Sequence, residues 1–289
     1  MKQRGLEERY TDYECQFDSL AAFAQLQASP RNKAMHDDQM RGCDHQRFGP
    51  VWLGPARTAT AARELFRKGW PEGVERLRQM RANSLSTAQS VKRVRCRSDQ
   101  GDELDIHRIW SGRFDTAWSA TKVGKRTHTR HVHILATTQA ACAIDQEQVY
   151  WRGAAATRLA DVLEDAGYSV AITGLTVAGA TNVDYDKVTF AYPVKGYDQP
   201  LSLANIAVAL CCVAWHRVLG FTAFASIPGQ THSYYGMNHD HVIEALIEDY
   251  AKHQLSGEHV IKLPSNMWAE GKATEWLNSQ IAAINQSNE

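Results

Sequence analysis

Residues 131–177, "HVHILATTQAACAIDQEQVYWRGAAATRLADVLEDAGYSVAITGLTV", decide how this chain folds. The first run, 131–137, is apolar enough to read as a strand. Residues Asp145 to Ala166 read as a long helix, with Asp145 placed to cap it and Gly167 to stop it. The run 168–177 is a second strand. Strand, helix, strand in this order implies a parallel pair with the helix crossing over one face.

Working outward from there, "DKVTFAYPV" (186–194) is another strand, and 201–220, "LSLANIAVALCCVAWHRVLG", a nearly all-apolar helix buried between layers. "FTAFASI" (221–227) is read as a strand. "DHVIEALIEDYAKHQL" (240–255) is an amphipathic helix, "EHVIKLP" (258–264) a short strand, and "KATEWLNSQIAAI" (272–284) a closing helix. The expected fold class is α/β, a mostly parallel sheet flanked by helices. A helical N-terminal region, residues 1–88, precedes it, and residues 89–289 form the α/β domain with a leading β-hairpin.

In that first region, 18–28 form a short helix capped by Asp18, and 29–49 are irregular. Thr58 caps a helix that ends at Lys68 before Gly69. Pro71 opens another at a favoured first-turn position. Val74, Leu77 and Met80 share one of its faces. The hairpin is expected between "VKRVRC" (91–96) and "ELDIHRIW" (103–110), across turn residues 97–102.

The 289 residues are 44% hydrophobic and 22% charged, enough apolar material for a core without staples. Net charge is zero, but bases outnumber acids between Arg63 and Arg97, and a second cluster surrounds 122–130. Arg93, Arg95, Arg97, Lys122, Lys125, Arg126 and Arg130 are therefore candidate nucleic-acid contacts. Six cysteines without a C-x-x-C pair argue against a zinc ribbon and for a reduced, cytoplasmic setting. No apolar leader opens the chain. Its longest apolar stretch, Ala204–Leu219, is too short to span a membrane, so no membrane partner is expected. P-loop, G-x-G-x-x-G and G-x-S-x-G patterns do not occur.

Three constellations invite chemistry. Read as a strand, 103–110 puts Glu103, Asp105 and His107 on one face, an alternative metal site. The favoured reading pairs those acids with Lys92, Arg93 or Arg95 across the hairpin. In "RHVHIL" (130–135), His131 and His133 share a face. With Tyr150 as nucleophile they resemble the H-hydrophobic-H arrangement of HUH-type nucleases, the alternative enzymatic reading. In "QTHSYYGMNHDHV" (230–242), Tyr234 and Tyr235 offer rings to a partner or a base, and Asp240 caps the next helix.

The element order of 131–177, followed by "DKVTFAYPV", a helix and "FTAFASI", resembles a von Willebrand factor A (VWA) domain over residues 130–285. The stretches "FGPVWLG", "ELFRKGWPEG", "GDELDIHRIWSGRFDTAW" and "YWRGAAATRLADVLEDAGYSV" further resemble an uncharacterised family of tailed bacteriophages. A VWA domain holds a divalent ion through D-x-S-x-S after its first strand. Ala136, Thr138 and Ala140 stand at those positions, so the resemblance implies a metal-free platform with no cofactor. It implies partner contacts at the strand tip, Thr137 and Thr138, together with Tyr234 and Tyr235. The partner would be a protein, an AAA+ ATPase or a second copy, with nucleic acid contacted by the basic half. The role implied is an interaction or scaffold protein rather than an enzyme, in the cytoplasm of an infected bacterial host.

Overall fold

The computed structural model describes residues 2–7, 10–84, 94–98, 103–113, 116–122, 131–140, 144–178, 187–227, 240–265, 267 and 269–286. In chain order the elements are β1 (Lys2–Glu7), β2 (Tyr10–Gln16), α1 (Leu20–Ala24), α2 (Lys33–Asp44), α3 (Ala59–Lys68) and α4 (Pro71–Ser84). Next come β3 (Val94–Ser98), β4 (Glu103–Leu104), α5 (Ile106–Trp110), β5 (Trp118–Lys122), β6 (His131–Thr137), α6 (Gln146–Ala166), β7 (Ser169–Ala178) and β8 (Val188–Lys195). The chain ends with α7 (Leu203–Ala209), α8 (Phe221–Ser226), α9 (Asp240–Gln254), β9 (His259–Lys262) and α10 (Glu270–Gln286).

The central sheet has the order β1-β2-β8-β7-β6-β9. β6 pairs in parallel with both β7 and β9, and β2 with β8, whereas β7–β8 and β1–β2 are antiparallel. This is the mostly parallel, helix-flanked α/β sheet expected of the sequence. Alternation divides β6 between two cores. Val132, Ile134 and Ala136 join Val170, Ile172, Phe190 and Tyr192 under α1–α4, α6, α7 and α8. Leu135 joins Leu175, Val177 and Ala191 under α9, which contributes Val242, Ile243, Leu246, Ile247 and Tyr250.

Local chemistry explains α6. Asp145 accepts from the Gln148 amide at 2.9 Å while the Gln148 side chain accepts from the Asp145 amide at 2.9 Å, a complete capping box. Gly167 closes the helix in the left-handed region at φ 95°.

Several expectations are corrected. Residues 1–88 are not all helical: β1 and β2 extend the sheet, and the stretch 29–49 contains α2. Phe23, Met40, Ala59 and Leu77 pack into the sheet's main core, because the face of β8 and β7 away from α9 needs more cover than α6 supplies. The first short helix is capped by Ser19, whose hydroxyl accepts from Ala22 at 3.1 Å, rather than by Asp18.

The expected hairpin is also different. β3 and β4 each pair antiparallel with β5, giving the order β3-β5-β4, and not with one another. Residues 106–110 coil into α5 because Asp105 accepts from the Arg108 amide at 3.3 Å.

"FTAFASI" is helix, not strand. A π-helical turn, Trp215–Gly220, runs straight into α8, and an established helix propagates through alanine-rich sequence more cheaply than a new strand forms. That removes the element which continued the VWA-like order beyond β8.

The apolar helix expected over 201–220 breaks after Ala209. There Gln146 of α6 receives the freed backbone groups, donating to the Cys211 carbonyl at 2.5 Å and accepting from the Val213 amide at 3.0 Å. Cys211 and Cys212 are buried, as small hydrophobes would be. Among the described residues no helix is long and apolar enough to cross a membrane.

α6 approaches this break closely at Gly153. A Cβ there would collide with the Cys211 sulfur and sit 2.9 Å from the Leu210 carbonyl carbon. Gly153→Ala is expected to lower stability by about 1–3 kcal/mol through overpacking, despite alanine's better helix propensity. A lower urea midpoint at unchanged slope would show it.

Candidate functional site

The tip of β6 is closed. Ala136, Thr137, Thr138 and Ala140 are all buried. The Thr138 hydroxyl lies 2.9 Å from the Thr176 hydroxyl and 2.8 Å from the Tyr192 phenol, which also accepts from the Trp215 indole N–H at 2.8 Å. The Thr137 hydroxyl accepts from the Gln139 amide at 3.2 Å. Thr137 and Thr138 therefore stabilise the interior and present no docking surface, a correction to the expected partner site. Beside them Arg152 donates to the Gln139 carbonyl at 2.8 Å, and Arg217 donates to the carbonyls of Ile144, at 2.6 Å, and Trp52. Neither ring nitrogen of the fully buried His216 has a hydrogen-bond partner among the described residues. Its imidazole is held neutral, first by burial and then by Arg217 and Arg152, with its pKa down to about 3.

The start of β6 is different. His133 lies on the α9 side of the sheet and is engaged at both nitrogens. Nδ1 is 3.0 Å from Glu258 Oε2, and Nε2 is 2.8 Å from the Thr173 hydroxyl. The Tyr197 phenol donates to the same Glu258 oxygen at 2.5 Å, and its ring stacks on His131 with centroids 4.6 Å apart. Burial lowers the His133 pKa, while Glu258 pulls it upward.

Tyr150 is elsewhere. It is buried in the core on the opposite face of the sheet, with the Arg76 guanidinium 3.6 Å from its ring centroid. Burial raises its phenol to about 12. The grouping of His131, His133 and Tyr150 expected of a HUH-type nuclease is thus not assembled. Alternation in the sheet sends the histidines to one face, and α6 packs its tyrosine against the other.

On the small sheet, Glu103, Asp105 and His107 do not share a strand face. Glu103 of β4 stands opposite Ser119 of β5, Asp105 caps α5, and His107 is on that helix, its ring 6.2 Å from Trp110. Among the described residues no three His, Cys, Asp or Glu side chains converge as metal ligands do. Among its described residues this unit exposes three large apolar side chains: Leu104 is 42%, Ile106 55% and Trp110 81% accessible. Arg95 and Arg97 lie on β3 and Lys122 on β5 of the same sheet. Arg93, Lys125, Arg126, Arg130, Tyr234 and Tyr235 fall outside the described residues.

A family model described as a domain of unknown function, DUF7192, matches residues 4–273. The chain belongs to the DUF7192 family. No curated protein and no solved structure gives a significant match. The match spans both the central and the small sheet, so both are part of what defines a DUF7192 domain.

Thr173, Tyr197 and Glu258 escaped the sequence reading because each reaches His133 from far along the chain. Trp110 was hidden by the assignment of 103–110 as strand; as a helix, Ile106 and Trp110 fall on one face.

Two of the buried histidines, His133 and His216, contribute to the acid response. Their ordinary pKa is 6.5 and both are lower in the fold. Below about pH 6.5 the unfolded chain therefore binds more protons, and stability falls as pH drops toward 3. In urea titrations at pH 7 and pH 4, His216→Gln is expected to show a smaller loss between the two than the native chain, even from a lower starting stability.

Proposed function

We propose that this chain is a binding protein that contacts single-stranded nucleic acid through its small sheet, β3-β5-β4 with α5. The supporting observation is the 81% accessibility of Trp110 on a unit whose strands carry Arg95, Arg97 and Lys122. An open indole supplies a stacking platform for a base, and basic residues on the strands of the same sheet supply cations for the phosphate backbone. Arg108 is fixed beside it, its guanidinium donating to Thr116 at 3.1 Å and lying 3.6 Å from Asp105. The sheet domain serves as the rigid scaffold that carries this unit. We propose an infected bacterial host as its setting, supported only by the resemblance of the quoted stretches to bacteriophage sequences.

A protein partner is the second reading, favoured by the exposed Leu104 and Ile106 next to Trp110. An AAA+ ATPase or a second copy of the chain would fit there better than at the buried β6 tip.

Anisotropy of a labelled oligothymidine tests the first reading. Binding is expected to weaken steeply with salt. Trp110→Ala should cost about 1–3 kcal/mol at every salt concentration, while Arg95→Gln with Arg97→Gln flattens the salt slope. Absence of binding at low salt, or binding indifferent to all three changes, would turn the assignment toward the protein partner.

A further inference from the structure

Thr173, His133 and Glu258 stand in hydrogen-bonded series across β7, β6 and the turn before β9. We propose that they form a nucleophile–base–carboxylate relay in which the Thr173 hydroxyl accepts an acyl group from small activated esters. This goes beyond the binding role and does not depend on it.

The geometry is that of an activated hydroxyl. Thr173 Oγ1 is 2.8 Å from His133 Nε2, and His133 Nδ1 is 3.0 Å from Glu258 Oε2. One tautomer satisfies both contacts: Nδ1–H donates to the carboxylate, leaving the Nε2 lone pair facing the threonine. A base oriented by a third group, within reach of a hydroxyl, is the arrangement nucleophilic catalysis requires. Tyr197 donates a second hydrogen bond to the same Glu258 oxygen at 2.5 Å and so fixes the carboxylate.

Thr173 is only partly buried, although it lies in the middle of a strand whose other residues from Val170 onward are buried. The β7–β8 register shifts between Ile172 and Thr173, the kind of irregularity that re-aims a side chain out of a regular ladder. Burial keeps the imidazole unprotonated at neutral pH, as a base must be.

The step balances. Thr173 Oγ forms a bond to the ester carbonyl carbon as its proton passes to His133 Nε2. The carbon–oxygen bond to the leaving group breaks, and that alcohol takes the proton. Water, deprotonated by the same imidazole, then hydrolyses the acyl-threonine, releasing a carboxylic acid and restoring the hydroxyl. Glu258 and Tyr197 are positioning residues.

The probe is p-nitrophenyl acetate with the full chain. A burst of p-nitrophenol equal to the protein is expected, with one acetyl group found by peptide mass spectrometry on Thr173. Thr173→Ser should keep the burst. Thr173→Val, which preserves shape, should abolish it, and His133→Gln should slow it by about 100-fold or more. The titratable groups around His133 are Glu258, Tyr197, His131 and, beyond Glu258, Tyr250. Glu258→Gln removes the one that favours the protonated ring, so the rising limb of the pH–rate profile should move to lower pH. Acetyl on any other residue, no burst from the native chain, or a burst that survives in Thr173→Val would overturn the proposal. Should Thr173→Val fail to fold, the site of acetylation in the native chain decides the matter by itself.

Discussion

β6 is the strand around which the fold is arranged. From Val132 onward it is buried on both faces, so its backbone groups cannot be left to water. Parallel partners on both sides, β7 and β9, take them. Each face then needs its own cover. The crossover helix α6 and the N-terminal helices cover one, and α9 covers the other. His131 is exposed and His133 buried but fully hydrogen-bonded, so polar side chains collect where the strand begins. At its far end, threonines and Tyr192 close the interior around hydrogen bonds.

Two guanidinium groups hold the surrounding loops. A buried Arg is tolerated only where oxygens surround it. Arg152 reaches the Gln139 carbonyl; Arg217 reaches those of Trp52 and Ile144 and lies 4.9 Å from the Trp52 ring centroid. Residues nearly a hundred positions apart are thereby joined to one another. This is why the N-terminal helices behave as part of the main core and not as a separate layer. Gln146 does the same at the break after α7.

The sequence made the buried parts legible and the contact-dependent parts opaque. β6, α6, β7, β8, α9 and β9 were readable because apolar runs, a capping residue and Gly167 are local signals. Residues 221–227 were not: a short apolar run fits a buried strand or a buried helix equally, and only the helical turn before it decides. The small sheet was misread because alternation in 103–110 competes with an Asp cap at 105, and the cap won. His133 stands out in sequence through its neighbour His131, yet the groups that hold it are Thr173, Tyr197 and Glu258. Those contacts span 40 to 125 positions and leave no spacing to detect.

The π-helical turn at Trp215–Gly220 sets the phase of the helix that follows it. Such a turn stores one surplus residue within an otherwise continuous helix. Rewinding the turn as regular α-helix with every residue kept would rotate everything after it by about 100°. Phe224, now 5.7 Å from Phe190, would leave the core, and His216 with Arg217 would change the neighbours they face. The turn is therefore a reserve of length: removing one residue here would return it to regular α-helix and leave Phe224 facing the sheet, whereas adding one would throw α8 out of phase.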